Sequence, residues 1–517
     1  MGASEKHSFS SGDATGQVTK GRNNHEGNNG MTQHPLMSGI GPAAPGGNVP
    51  FANSVALALI AATAVAITAA AWAESDPLPL MIMAGAASLP FLLFTGAQAL
   101  AWNGPYTFCL AVVIVVLQCA TLRMREISDK TIDAQILMKL SCLGGMCALA
   151  LSGAVRISLR RRMPGIAVWL CFLVYMTLTS FEAVQPQIAL VETISNLATV
   201  LFLYAIAQMF GARNLVNALI AACFVLCLLS IAAYVLQPQL GRMSDWVNGA
   251  FVPTSRLTGV FGTANAAGAS AGVGIMLTGL FSGVSRRRPL FYVLVLPMLL
   301  CLIVSNNRMS MFAVGTCFLY VYAMKGRIGL KFAVALLLAA IGTLVMASFG
   351  DQILEGMSRS GSASEITSGT GRTRIWSVVI DLWKDRPLFG YGAGSAKYIL
   401  PIHPLLFAAA AHAHNLYLNI LFAGGAVGLL LFLAGLVSTL RRTLVIRSHG
   451  LVGMLIFYLL YGMTEPAVGG LVSFVSFGFY AIIVLALCPV EDLRMLAGPH
   501  RGATPFRIAQ SEVAALT

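Results

Sequence analysis

Four short polar clusters interrupt a mostly apolar chain, and each carries residue types that hold anions or move protons. The first is residues 255–265, SRLTGVFGTAN. Gly259 and Gly262 permit tight turns, and Thr263 is placed to cap the helix that follows. A helix N-terminus beside Arg256 suits a phosphate. The second is residues 305–310, SNNRMS, a polar break between two apolar runs. Arg308 has no acidic neighbour there. A charge at a membrane boundary is costly unless it is paired, binds a ligand or snorkels to the interface. The third is residues 368–376, SGTGRTRIW, with Arg372 and Arg374 at an expected helix start. The fourth is residues 411–417, AHAHNLY. His412 and His414, with His403, place three of the chain's eight histidines in one loop.

An HxH pair can ligate a metal, but no Asp, Glu or Cys is close in sequence to complete a site, so no metal is expected. A boundary histidine acting as a general base or hydrogen-bond donor fits better. The sequence also lacks a P-loop, a GxSxG elbow and an HExxH pair. It has no DxD pair to hold a metal–nucleotide-sugar. Arginines and a histidine without a metal suit a substrate that brings its own diphosphate. Departure of a lipid diphosphate develops negative charge, which arginines stabilise. The attacking hydroxyl then needs only a positioned base.

The elements that must position these residues follow from composition. The chain has 517 residues, 57% hydrophobic and 10% charged, against roughly 25% charged in a soluble domain. That excludes a soluble enzyme, a disordered regulator and a disulfide-stapled secreted domain. Long continuous apolar runs argue against an outer-membrane barrel. The expected fold is an all-α, polytopic helical membrane protein with about 12–14 transmembrane helices. Spans are expected at 51–73, 80–101, 105–122, 134–155, 166–181, 188–210, 214–236, 264–283, 289–304, 309–325, 328–348, 414–438, 450–464 and 469–488. All ten cysteines lie in apolar segments, where they read as packing residues. The net charge of +13 is assigned to topology rather than to nucleic acid.

Residues 1–50 read as a disordered cytoplasmic tail, followed by a retained anchor near Phe51 rather than a cleavable signal peptide. Residues 51–236 form the N-terminal helices, 237–440 a core, 441–488 the C-terminal helices and 489–517 a second cytoplasmic tail. Basic residues cluster in alternate short loops, at Arg156 to Arg162, Arg213, Arg286 to Arg288, Lys325 to Lys331 and Arg441 to Arg447. The positive-inside rule puts these loops and both termini in the cytoplasm. It puts two longer connections, 237–263 and 350–413, outside. Those connections carry Arg242, Arg256, Arg359, Arg372, Arg374, Lys384, Arg386 and Lys397, against the usual bias. They are either solvated loop charge or the walls of an anion site. In the second, Ile375, Trp376, Val379, Leu382 and Trp383 recur at helical spacing. This predicts an amphipathic helix capped near Thr370, lying on the membrane and stopping before Pro387.

In this order, SRLTGVFGTANAAG, SNNR, SGTGRTRIW…DRPLFGYGAG and HAHNLYL…GGAVGLLLFL resemble the O-antigen ligase and polymerase superfamily of bacterial inner-membrane glycosyltransferases. The resemblance covers about residues 250–435. It implies a GT-C-type fold and metal-independent transfer, with inversion and without a cofactor, from an undecaprenyl-diphosphate-linked glycan at the periplasmic face. The acceptor would be a hydroxyl of a glycan or of lipid A–core. Arg256, Arg308 and Arg372 would then hold the diphosphate, and His414 would be the functional histidine, with Arg374 and His412 as near-equal substitutes. Polymerisation of exopolysaccharide or O-antigen repeats is the first reading, and ligation onto lipid A–core or protein the second. Ala423 and Gly424 stand where relatives often carry an acidic residue. A flippase or other transporter is the alternative of another class. It would need ionisable residues along a path, whereas Lys139 and Glu192 both lie near one end of their spans.

Overall fold

Apolar runs this long become helices because a helix satisfies every backbone group internally where no water is available. The computed structural model describes residues 104–122, 133–156, 166–247, 250–281, 288–325, 372–406 and 411–488, all within one unit, Ser54–Thr517. The spans expected at 51–73, 80–101 and 328–348 and both tails lie outside the described residues. The helices are α1 (Gly104–Cys119), α2 (Ala134–Arg156), α3 (Ile166–Thr179), α4 (Pro186–Leu236), a single turn α5 (Pro238–Gly241), α6 (Ala264–Phe281), α7 (Arg288–Val304) and α8 (Arg308–Lys325). They continue with α9 (Arg372–Asp385), the short α10 (Ala396–Ile399), α11 (Leu416–Val445), α12 (His449–Gly462) and α13 (Phe474–Leu487). Four of them, α2, α4, α6 and α11, are long and apolar enough to cross a bilayer, and α1, α3, α7, α8, α12 and α13 are shorter apolar helices. The chain is an all-α polytopic membrane protein. Large apolar side chains such as Leu151, Leu236, Leu296, Phe312 and Leu430 stand exposed on its outer faces, as a lipid-facing surface requires.

α13 is buried along its whole length, from Phe474 to Leu487. A helix apolar all round belongs at the centre of a bundle, and α13 contacts α4, α6, α11 and α12. Beside it, Trp169 packs edge-on against Phe172, Phe432 and Phe479. Its indole N–H is satisfied by Thr439 Oγ1 at 2.9 Å.

α4 is two helices rather than one. Gly211, at φ 80° and ψ 160°, breaks it, in a region of backbone space open essentially to glycine. A straight helix of 51 residues would be about 75 Å long. Yet Glu192 near its start pairs with Lys397, and Tyr234 near its end donates to Ser255 O at 2.9 Å. Both ends therefore reach the same end of the molecule, as the separate spans 188–210 and 214–236 expected.

The same end gathers the C-terminal ends of α1, α3, α7 and α12 and the N-terminal ends of α2, α6, α8, α11 and α13. Thr121 N donates to Val260 O, Leu122 N to Gln135 Oε1, Val184 N to Ser395 Oγ and Ser476 Oγ to Ala467 O. This strict alternation is what an up-and-down membrane bundle produces.

One expectation is corrected and one element is added. The outer connection 237–263 carries a hairpin: Arg242–Val247 (β1) pairs antiparallel with Ala250–Leu257 (β2), with an irregularity between Arg242 and Ser244. Alternation over so short a stretch is a weak signal beside long apolar runs. The amphipathic helix forms as α9, but its apolar face is turned into protein rather than onto the membrane. Val378 and Val379 are buried against Leu400, Ala413 and Phe422, with Ile375 and Leu382 packed alongside. Thr370, the expected cap, lies outside the described residues.

Candidate functional site

The loop 386–395 and the start of α11 make the frame of the site. Gly425, at φ 61° and ψ −163°, interrupts α11. The carbonyls and amides this break releases are taken up by the loop: Tyr391 N donates to Phe422 O, Gly392 N to Ala423 O, Ala426 N to Pro387 O and Val427 N to Leu388 O. The GYGAG and AGG segments thus lock into each other and fix how α11 begins. Asn415 caps α11, its side-chain oxygen accepting from Tyr417 N at 2.9 Å and Leu418 N at 3.1 Å. His414, immediately before the cap, has φ 48°, a conformation uncommon for any residue with a Cβ. The indole of Trp376 on α9 donates to Ala413 O at 2.9 Å and holds the histidine loop from the other side.

Glu465, in the loop between α12 and α13, is where the clusters converge. Its Oε1 accepts from Asn265 Nδ2 at 2.7 Å and Arg372 Nη2 at 2.8 Å and lies 3.1 Å from His414 Nδ1. Burial alone would raise the pKa of this nearly enclosed carboxyl. The His414 hydrogen bond and the charges of His414, His412 and Arg372 outweigh burial and hold it below the usual carboxylate range. An ionised carboxylate only accepts, so His414 Nδ1 is the nitrogen that donates to it, and in the neutral ring that tautomer leaves Nε2 as the acceptor. Burial, then the neighbouring His414, push His412 down to about 4. Its Nδ1 accepts from His414 N at 3.3 Å, and the two rings lie 4.0 Å apart between centroids.

Arg256 joins through Asn265. Its Nη2 donates to Asn265 Oδ1 at 3.3 Å and its Nε to Ser305 O at 3.2 Å. Asn307 Nδ2 donates to Asn265 O at 2.8 Å, which seats the 305–308 turn on the start of α6. Thr263 caps α6 through Ala266 N at 3.1 Å. Arg308, next to Asn307, is half-buried and has no ion pair or hydrogen bond among the described residues. The structure therefore brings Arg256, Arg372, His412 and His414 into one connected cluster, while Arg308 is linked to it through its chain neighbour Asn307. Of the near-equal arginines, Arg372 contacts Glu465, while Arg374 is exposed.

Asn265 and Glu465 are the site residues that sequence reasoning left out. In the sequence Glu465 stands alone in the short connection between two apolar runs. Its isolation, an acid at the end of an apolar span with no basic neighbour in sequence, was the available signal. His412, His414 and Glu465 also offer three ligand atoms within 4.8 Å of one another. Glu465 Oε1 already contacts three donor groups, however, and a guanidinium at 2.8 Å opposes a cation there. The cluster is better suited to holding an anion beside a histidine whose free nitrogen can take a proton.

A comparison with curated proteins finds none that matches the chain. Residues 292–433, from within α7 to within α11, match the O-antigen ligase family model (Wzy_C). That segment contains Arg308, Arg372, Arg374, His412 and His414, and the fold adds Arg256, Asn265 and Glu465 from outside it. Over those residues the chain is similar to the O-antigen ligase and polymerase superfamily, the likeness its motif order already carried, and this supports a role in surface polysaccharide biosynthesis.

Proposed function

We propose that the protein is an inverting, metal-independent glycan transferase of the bacterial inner membrane that takes an undecaprenyl-diphosphate-linked oligosaccharide as donor. The carrying observation is the Glu465–His414 pair set against Arg372 and Arg256. Glu465 orients His414 so that Nε2 accepts the proton of the acceptor hydroxyl. The hydroxyl oxygen bonds to the anomeric carbon from the side opposite the diphosphate. The anomeric C–O bond breaks, and its electron pair leaves with undecaprenyl diphosphate, whose growing charge falls to Arg256, Arg308 and Arg372. Polymerisation of repeat units is the first reading of the acceptor, and ligation to lipid A–core or protein the second.

The outer face is supported by charge. Arg156 closes α2, Arg213 follows the break in α4, Arg288 opens α7, Lys325 closes α8, and Arg441 and Arg442 end α11. All of these are helix ends opposite the site, and basic ends stay in the cytoplasm. The domain reading follows the same division: a core over 237–440 carries most of the site, flanked by helical segments 51–236 and 441–488 and by the two tails.

The test uses the purified full chain in detergent with an undecaprenyl-diphosphate oligosaccharide and added chelator. Wild type should release undecaprenyl diphosphate, and His414→Ala and Arg308→Ala should each abolish release. A product ladder indicates polymerisation, and a single shifted band that needs lipid A–core indicates ligation. Failure to release the lipid, with movement of it across liposomes, rejects the transferase for the flippase.

A further inference from the structure

A cavity of about 330 Å³ lies beside the histidine pair, at the lower end of small-molecule pockets, which run about 300–1,000 Å³. His412 lines it, while Arg256, Arg308 and Arg372 do not. The cavity is thus a separate part of the site, which meets the arginine cluster through the His412–His414 contact. The lining also carries an ion pair. Lys397, just inside α10, meets Glu192 of α4, whose side chain is 6% exposed. Asn419 adds an amide, and Leu471 an apolar wall at the rim.

An ion pair on the wall of a cavity offers a sugar what a dry pocket cannot. The ammonium donates and the carboxylate accepts, so adjacent hydroxyls find complementary partners. An apolar wall covers the C–H face of the ring. A lipid tail would leave the ion pair and the Asn419 amide on the wall without partners, and the ammonium is already neutralised, which disfavours a second diphosphate. We propose that this cavity holds the terminal sugar of the acceptor, with Glu192 and Lys397 as its specificity-determining residues. The proposal rests on the transferase reading and adds where the acceptor sugar binds.

The test uses the lipid-linked glycan pool extracted from the source strain with its own copy of the protein deleted. Part of the pool is the donor. The rest, released from lipid by mild acid, is the acceptor, varied in concentration. Glu192→Gln combined with Lys397→Gln keeps the volume and removes both charges together. Leu471→Trp fills the rim at an exposed position and breaks no polar contact, so it serves even where the paired change fails to fold. Each is expected to raise the acceptor KM tenfold or more and to leave the donor KM within twofold. Equal rises in both KM values, or no rise in either variant that folds, overturn the assignment while the transferase stands. A wild type that transfers nothing from the pool fails the transferase itself and this proposal with it.

Discussion

At the residue scale the decisive contact is that of Glu465 with His414. In the proposed reaction a carboxylate that fixes an imidazole tautomer works through the base rather than on the substrate, which makes Glu465 a positioning residue. Glu465→Gln is expected to lower kcat about 10²–10⁴-fold, with donor KM little changed and an unaltered gel-filtration profile. Glu465→Asp should restore part of the rate, which a merely structural role would not distinguish from Gln. The cluster also sets a pH dependence. His412 is held near 4 in the fold against an ordinary value of 6.5, so as pH falls the unfolded chain binds its proton first. Stability should therefore decline from about pH 6.5 towards 4. Glu465, also depressed, adds a further loss where it protonates below the usual carboxylate range. Thermal unfolding in detergent across pH 4 to 7 checks this. His412→Asn should flatten the upper part of that slope, and an unchanged slope refutes the assignment.

At the element scale, the site depends on a break that no periodicity announces. Gly425 sits where a Cβ would lie 2.2 Å from Leu388 O, in backbone space that costs other residues about 1–3 kcal/mol before any clash. Gly425→Ala should lower stability by about 2 kcal/mol or more, seen as a fall in unfolding temperature, with loss of activity. Gly315→Ala in α8 meets nothing within 4 Å and should leave both nearly unchanged. The helices themselves were legible in the sequence, because apolar runs bounded by charge follow directly from the bilayer. So were the arginines and His414, because polar breaks in such runs are conspicuous. The β1–β2 hairpin was not, nor was the inward turn of α9. Amphipathicity reveals that a face is apolar, not whether lipid or Val379's neighbours will cover it. Glu465 was missed for a similar reason: it lies 51 residues from His414, and only packing closes that gap.

At the scale of the whole molecule, the alternation of helix ends turns sidedness into a measurable claim. Arg374→Cys, on the site end, should react with a membrane-impermeant maleimide in intact cells, above the background of the unsubstituted chain. Ser448→Cys, between α11 and α12 at the other end, should react only after the cells are opened. The reverse pattern would put the site in the cytoplasm and remove a periplasmic reaction. The buried course of α13 has a consequence for biogenesis. Among the described helices it is made last, yet α4, α6, α11 and α12 all pack on it. Until it leaves the ribosome, the earlier spans surround a vacancy at the centre of the bundle and hold Glu465 on a loop with nothing to anchor its far side. The nascent protein is therefore expected to stay with the translocon or an insertase until that final segment slides in and seals the bundle.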